Sequence, residues 1–294
     1  MAKLIAIAGA PGSGKTSWIA QAIESSEEFS QKPALYWPMG GAGVPLDALF
    51  LASQCGERLE IISEAEPALV TAALEQGRSV YVEVDNSVDL TQLQFPAGMP
   101  LERIGLQLQG WRSQVLEDWS DRLVPSPMIS PSLATSSLAT PSPTTLPSPP
   151  SPTPFAQAQQ ICAVTLTGQV FDPPSLDVFW QELVGGAYGS VQRAKGIFCL
   201  ADGSIFYFSF VTGLESTYTR LQVEPCFVGR PQYPSGLESV GHELNGDAIL
   251  ATLQACLLSD ELLQQHQEQM KAIAQDDQDD SDPEPATAKT ALAS

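Results

Sequence analysis

The sequence predicts an α/β protein, with a parallel sheet wrapped by helices that is followed by a smaller α+β domain. Three observations lead to this prediction. Residues 1–120 alternate short apolar runs with amphipathic stretches of helical period, which is typical of a parallel sheet with helices on its faces. A proline-rich segment then interrupts the chain at 125–154. Beyond it, period-two runs flank Ala201-Asp202-Gly203, a hairpin signal that indicates antiparallel strands.

A glycine-rich stretch near the N-terminus is the most specific motif. Gly9-Ala10-Pro11-Gly12-Ser13-Gly14-Lys15-Thr16 matches the phosphate-binding pattern G-x-x-x-x-G-K-[ST] at each fixed position. The apolar run 3–8 precedes it as a buried strand, and 17–23 follows it with the period of a helix. A glycine-rich turn that fits the pattern by chance is the alternative, but it does not account for both flanks.

The chemistry of this P-loop (residues 9–16) follows from its residue types. Gly9, Gly12 and Gly14 allow backbone conformations closed to other residues and leave room for a ligand. Backbone N–H groups, that of Ser13 included, then form an anion cradle at the start of a helix. Lys15 is placed to reach the β- and γ-phosphates, and the Thr16 hydroxyl to ligate Mg²⁺. We therefore predict Mg²⁺ with GTP or ATP as the ligand, bound by Gly9, Gly12, Ser13, Gly14, Lys15 and Thr16.

The remaining elements of the first domain follow in order. Strands are expected at 34–37, 59–62, 79–85 and 103–108, and helices at 46–52, 66–75 and 111–119. A flexible glycine-rich turn is expected at 39–43.

The strand at 79–85 carries a second candidate for chemistry. Its residues Tyr81, Glu83 and Asp85 share one face, because side chains alternate along a strand. A P-loop enzyme needs a carboxylate at the end of a neighbouring strand to hold the magnesium shell or orient a water molecule. We predict Glu83 as catalytic together with Lys15, and Asp85 as a metal ligand together with Thr16. The alternative is a pair of solvated acids at a strand end.

Composition and charge exclude several classes of function. The chain has 34 Asp and Glu against 14 Lys and Arg, a net charge of −20. Such a balance argues against nucleic acid and against an anionic membrane as partners. No apolar run approaches the ~20 residues of a membrane span. The five cysteines are scattered without C-x-x-C spacing, so we expect free thiols in a cytoplasmic protein.

Two polar segments divide the chain. Ten prolines lie among Ser, Thr, Ala and Leu at 125–154, which predicts a disordered linker. A proline-rich ligand for a partner domain is the alternative, but no basic residue accompanies the prolines. The acidic block at 276–282 predicts an unfolded tail. The predicted organisation is a nucleotide-binding domain at 1–122, a linker at 123–157, an α+β domain at 158–265 and a largely disordered tail at 266–294.

Within the second domain the apolar patterns predict strands and two helices. The strands are expected at 161–168, 191–200, 204–211 and 221–228, and the helices at 174–183 and 247–258.

Three places in this domain resemble the C-terminal domain of the CobW-type P-loop GTPases. Arg193-Ala194-Lys195-Gly196 is similar to the R-x-K-G of that family, and Phe227-Val228-Gly229-Arg230 to its apolar-Gly-Arg step. The helix that ends at 253–258 resembles its closing helix. The resemblance implies a Mg-dependent GTPase that serves a client protein by delivering or inserting metals such as zinc or cobalt, in some members for cobalamin synthesis. Glu83 fits the carboxylate of the family, although Asn86 stands where a glycine is common.

The sequence departs from the family at two functional motifs. The metal-binding C-x-C-C is missing, and residues 39–43 lie in its region without a cysteine. Only His242 and His266 supply imidazole, so ligand supply argues against tight binding of Zn²⁺ or Co²⁺. The guanine-reading N-K-x-D is also absent, which leaves GTP and ATP both open.

Two further groups have open roles. Arg193 and Lys195 face a nucleotide, a client or the first domain, or they form a solvated strand start, the usual role of such a cluster. His242 is expected on a polar surface loop.

Three functions remain open at this stage. The first is a CobW-like NTPase with slow turnover, because no arginine finger can be named. The second is a nucleotide-binding module that docks a partner without hydrolysis, and the third is an ATP-using P-loop kinase.

Overall fold

The computed structural model describes residues 2–40, 44–62, 67–95, 98–108, 112–126 and 160–279. The predicted linker from residue 127 onward, most of the predicted turn at 39–43 and the end of the tail from residue 280 lie outside the described residues.

The first domain is built on a six-stranded, all-parallel sheet. Its spatial order is β3-β2-β4-β1-β5-β6. The strands are β1 Leu4–Gly9, β2 Ala34–Met39, β3 Leu59–Ile61, β4 Val80–Val84, β5 Leu101–Gln107 and β6 Arg122–Pro125. Because parallel strands have their carboxyl ends at one edge, the loop after β1 and the end of β4 lie side by side there.

Helices cover both faces of this sheet. They are α1 Lys15–Glu24, α2 Leu46–Cys55, α3 Pro67–Glu75 and α4 Gln114–Trp119. On one face Ile7 and Tyr81 pack against Ile19 of α1 and Leu51 of α2. On the other face Ala6, Val82 and Val84 pack with Val70 of α3 and Trp119 of α4. The alternation along each strand assigns its side chains to these two cores, as the predicted α/β class requires.

The sequence did not predict strand β6. Residues Arg122–Pro125 pair in parallel with Ile104–Gln107 of β5, and the next hydroxyl, that of Ser126, donates to the Ser13 carbonyl at 2.9 Å. The sheet therefore continues beyond residue 122, into the predicted linker. An edge strand this short and this exposed carries little apolar signal, and the prolines that follow it dominate the local composition.

The second domain contains a mostly antiparallel sheet of order β11-β10-β9-β12-β7, with β8 added in parallel to β9. Its strands are β7 Gln160–Thr165, β8 Val170–Phe171, β9 Ser190–Leu200, β10 Ile205–Val211, β11 Thr217–Arg220 and β12 Gly236–His242. Its helices are α5 Pro173–Val184, α6 Gly246–Ala255 and α7 Asp260–Asp279.

The two faces of this sheet are covered differently. Helices α5 and α6 pack on one face, where Trp180 meets the rings of Phe198 and Phe208 edge-on. The opposite face packs on α2 of the first domain. There Phe50 stacks against Tyr207, with ring centroids 4.5 Å apart. Helix α2 therefore belongs to the cores of both domains.

In the second domain one predicted strand was wrong and one strand was not predicted. Residues 221–228 form no strand; the strand is Thr217–Arg220, and Val228 of the predicted strand is 74% exposed. The pairing ends after Arg220 because its partner strand β10 begins at Ile205, to whose carbonyl Leu221 donates. Strand β12 (Gly236–His242), which lies between β9 and β7, was missed because two glycines interrupt its apolar pattern.

The predicted disordered tail is helical over part of its length. Helix α7 runs from Asp260 to Asp279, and so includes residues 266–279. Leu263 and Gln267 of α7 are buried, and the Gln267 amide exchanges two hydrogen bonds with the backbone of Gly229. Tertiary contacts, which a charge count does not register, order this part of the segment. No helix in the described part of the chain has the length and apolarity to cross a bilayer.

Candidate functional site

The P-loop adopts the backbone conformation that its glycines allow. Gly12 has φ +77° and Gly14 has φ +78°, in the left-handed region that other residues disfavour. Gly14 is the N-cap residue of α1 and, as a glycine, has no side chain that could accept a hydrogen bond from the helix. The first N–H groups of α1 have no acceptor within the helix, which is the arrangement that binds anions at helix N-termini.

The inside of the loop is closely packed. A Cβ atom on Gly9 would lie 2.6 Å from Ser13 Oγ and 2.7 Å from the Leu106 carbonyl oxygen, so only glycine fits there. Ser13 is fully buried. Its backbone N–H donates to the Ala10 carbonyl at 3.0 Å. The Ser13 hydroxyl is enclosed in the loop, does not line either cavity beside Lys15, and has no hydrogen-bond partner among the described residues.

Lys15 and Thr16 begin α1 at the end of this loop. The Lys15 Nζ donates to the Gly9 carbonyl at 3.1 Å, and the residue is only 6% exposed. Burial lowers the pKa of Lys15, the nearby charges of Lys195 and Arg193 lower it further, and Glu83 opposes them. The Thr16 hydroxyl lies 3.1 and 3.2 Å from the two carboxylate oxygens of Glu83.

Glu83 occupies the buried end of β4, where the sequence predicted a carboxylate. It is paired with Ile7 of β1 and accepts a hydrogen bond from the Tyr36 hydroxyl at 3.0 Å. Burial raises the pKa of Glu83, and the negative charge of Asp47 raises it further, against the lowering effect of Lys195 and Lys15. Among the described residues, the side chains that donate to this carboxyl group are the neutral hydroxyls of Thr16 and Tyr36.

Asp85 lies beyond the end of β4, and its carboxylate bonds to the following loop and not to Thr16. It lines the same cavity as Lys15 and Glu83, and its carboxylate accepts the Ser87 N–H at 2.9 Å. Burial opposes its ionisation, but the hydrogen bonds from Ser87 outweigh burial and lower the pKa of Asp85. Of the two predicted carboxylates, the structure brings Glu83 into hydrogen-bond contact with Thr16.

The expectation that Arg193 and Lys195 form a solvated strand start was wrong. Lys195 Nζ lies 2.6 and 2.7 Å from the carboxylate oxygens of Asp47 on α2, and Arg193 forms an ion pair with Glu238 of β12. Their side chains are 13% and 10% exposed. These cations are therefore placed at the boundary of the two domains, beside the P-loop.

Asp47 is a site residue that the sequence analysis missed. It accepts bonds from Lys195 and from the Tyr207 hydroxyl, the latter at 3.3 Å. Burial alone would raise its pKa, but Lys195 and then Arg193 lower it below the ordinary value. In the sequence it is an acid in the first turn of a helix, a common feature that gives no separate signal.

Two cavities, with volumes of about 210 and 260 Å³, open beside Lys15 at the end of the P-loop. The larger is lined by Gly12, Gly14, Thr16 and residues of β10 and β11. The smaller is lined by Asp47, Asp85, Glu238 and residues of β2 and α2. Four residues line both cavities, namely Lys15, Glu83, Arg193 and Lys195.

The histidine and cysteine residues were placed partly as expected. His242 lies at the end of β12, where its Nε2 is 3.0 Å from the Gln192 amide nitrogen, and not in a polar loop as predicted. All five cysteines are free thiols. Within the described ranges no three His, Cys, Asp or Glu residues are grouped so as to hold a metal ion.

Comparison of the sequence with protein-family models and with curated proteins gives no match. Among solved structures the chain is similar to the Zn(II)-bound YjiA GTPase from E. coli, with 11% identity and a TM-score of 0.28, over 87% of this chain and 98% of that one. A Zn(II)-bound triple mutant of YjiA GTPase gives 12% identity and a TM-score of 0.29, over 87% and 99%. Similarity at this level transfers neither ligand nor activity, and the α/β architecture described above follows from the strand order of the chain itself.

Proposed function

We propose that the chain is a CobW-like P-loop NTPase, which binds a nucleoside triphosphate with Mg²⁺ at residues 9–16 and hydrolyses it slowly. The observation that carries the proposal is the contact between the Thr16 hydroxyl and both oxygens of the buried Glu83, with Lys15 beside them on the same cavities. A helix start, a lysine, a hydroxyl and a carboxylate are thereby brought together from β1, α1 and β4.

The residues present fit magnesium. Mg²⁺ prefers hard oxygen ligands, and the Thr16 hydroxyl with the Glu83 carboxylate supplies them, with Asp85 on the neighbouring cavity wall. When bound, the ion would neutralise charge on the β- and γ-phosphates. Lys15 would give up its contact with the Gly9 carbonyl for these phosphates, an exchange of a neutral acceptor for a charged one. GTP and ATP both remain candidates.

A second candidate is a nucleotide-binding module that docks a partner without hydrolysis. The surroundings of Glu83 favour it, because burial and the charge of Asp47 raise the pKa of this carboxyl group, which weakens it as a magnesium ligand and as an orienting group for water. A role in metal homeostasis or cobalamin-type metal insertion, with a client protein, rests on the CobW resemblance alone.

The test is binding and hydrolysis of GTP and ATP by the wild-type chain and by Lys15→Ala, with and without Zn²⁺. We expect triphosphate binding with slow phosphate release, and a loss of about tenfold or more in affinity in the variant, as for one charge-assisted contact. Lys3→Ala is the control, because Lys3 is an exposed lysine of the same domain. Binding without turnover would select the docking module. No binding of either nucleotide by the wild type would refute the proposal.

A further inference from the structure

We propose that the second domain completes the nucleotide site, and that Arg193 and Lys195 bind the terminal phosphate of the triphosphate. The inference rests on the proposed function and adds to it a partner for the γ-phosphate from outside the P-loop domain.

The strand geometry directs both cations toward the first domain. Residues 193, 195, 197 and 199 lie on one face of β9, because side chains alternate along a strand. On this face Ile197 and Cys199 belong to the apolar cluster that contains Leu46 of α2. The same register sets Glu238 of β12 opposite Lys195. Arg193 and Lys195 therefore lie on the same face of β9 as the apolar residues that pack on the first domain, and they are its charged end.

Their position relative to the P-loop selects the phosphate. Both cations share each of the two cavities with Lys15 and Glu83. Lys15 is the residue of the motif that reaches the β- and γ-phosphates. The Glu83 carboxylate would lie near the γ-phosphate, where a P-loop enzyme positions its magnesium or its water. The larger cavity also extends along Gly12 and Gly14, where the inner phosphates would lie. Arg193 and Lys195 therefore face the γ-phosphate end of the site.

The charges around these cavities are balanced by residues of the protein itself. Three cations, Lys15, Arg193 and Lys195, repel one another across these cavities, and the partly buried carboxylates Asp47 and Glu238 offset the charges of Lys195 and Arg193. A phosphate offers these cations an acceptor of the same kind as the carboxylates. Binding a triphosphate would thus exchange carboxylate contacts for phosphate contacts at the boundary of the two domains.

The experiment compares triphosphate and diphosphate affinities in the full chain. Fluorescent analogues of GTP, GDP, ATP and ADP are titrated with Mg²⁺ into the wild type, Arg193→Gln, Lys195→Gln and Arg193→Lys. Because Arg193→Gln leaves Glu238 without its cation, the double variant Arg193→Gln with Glu238→Gln is measured beside it. Arg122→Gln is the matched control, since Arg122 is an exposed arginine at the edge of the first sheet. Thermal unfolding reports whether each variant is folded.

We expect the Gln variants and the double variant to lose about tenfold or more in triphosphate affinity, while diphosphate affinity changes less than about threefold. Arg193→Lys should recover part of the loss, and Arg122→Gln should match the wild type. Equal losses of diphosphate and triphosphate affinity would overturn the inference and indicate a purely structural role for the two cations. Unchanged triphosphate affinity in the Gln variants would also overturn it. In either case the wild type still binds, so the proposed function stands. A wild type that binds no triphosphate overturns both.

Discussion

Lys195 and Asp47 form a bidentate contact across the domain boundary, with Nζ–O distances of 2.6 and 2.7 Å. Asp47 belongs to the first turn of α2, and Lys195 to the central strand of the second sheet. The pair is flanked by the apolar contact between Phe50 and Tyr207. It therefore adds a charged contact to the apolar cluster through which α2 packs on the second sheet.

The first prediction concerns the stability of this pair. Lys195→Met should destabilise the chain by about 2 kcal/mol, because it leaves the partly buried Asp47 without its cation. Lys3→Met, which removes an exposed partner of Glu102, should cost less than about 1 kcal/mol. Urea unfolding followed by tryptophan fluorescence measures both. Equal effects for the two variants would show that the Asp47 pair is screened like a surface pair.

Adding Asp47→Asn to Lys195→Met supplies the internal check. The double variant removes the unpaired charge, so it should recover part of the lost stability. If the double variant is less stable than Lys195→Met, then Asp47 is stabilised mainly by Tyr207 and its other neighbours, and not by Lys195.

The sequence predicted the first domain well because its signals are local. The P-loop motif, the apolar runs on either side and the period-two face that holds Tyr81 and Glu83 all lie within short windows. The structure confirms the parallel sheet and places Thr16 against Glu83. These residues are 67 positions apart, but the carboxyl edge of a parallel sheet brings them together without further information.

The rest of the site was not predictable because it depends on contacts between domains. Asp47 looks like an ordinary acid at a helix start, and Arg193 and Lys195 like a solvated cluster. One signal was available: Ile197 and Cys199 on the same face require an apolar cover, so the two cations beside them had to lie at an interface. Strand β6 was not predicted for a different reason: it is a four-residue edge strand that is mostly exposed, so its sequence has almost no apolar alternation.

The second prediction concerns pH. The pKa of Glu83 is raised by burial and by Asp47, so the folded chain holds this proton more tightly than the unfolded chain. Its contribution to stability is therefore present at acid pH and is lost as pH rises from the ordinary value of 4.5 toward the folded value. Glu83→Gln abolishes this loss, so its unfolding free energy minus that of the wild type should increase with pH across that window, and then level off.

Urea unfolding without nucleotide, repeated from pH 4 to pH 8, measures this difference. Glu75→Gln is the control for the substitution itself, because Glu75 is an exposed glutamate at the end of α3. A flat difference for Glu83→Gln would show that the folded chain does not hold the Glu83 proton, and would weaken the case for a docking module.

The third prediction tests the contact between β10 and the P-loop. A Cβ atom on Gly12 would lie 2.6 Å from Val211, so Gly12→Ala should combine this clash, about 1–3 kcal/mol, with the strain of its positive φ, about 1–2 kcal/mol. Gly213→Ala has a similar φ but nothing within 4 Å, and should show the strain alone. In a Val211→Ala background the excess cost of Gly12→Ala should largely disappear, as measured by urea unfolding of the four variants. An excess that persists there would mean that β10 does not rest on the loop in solution.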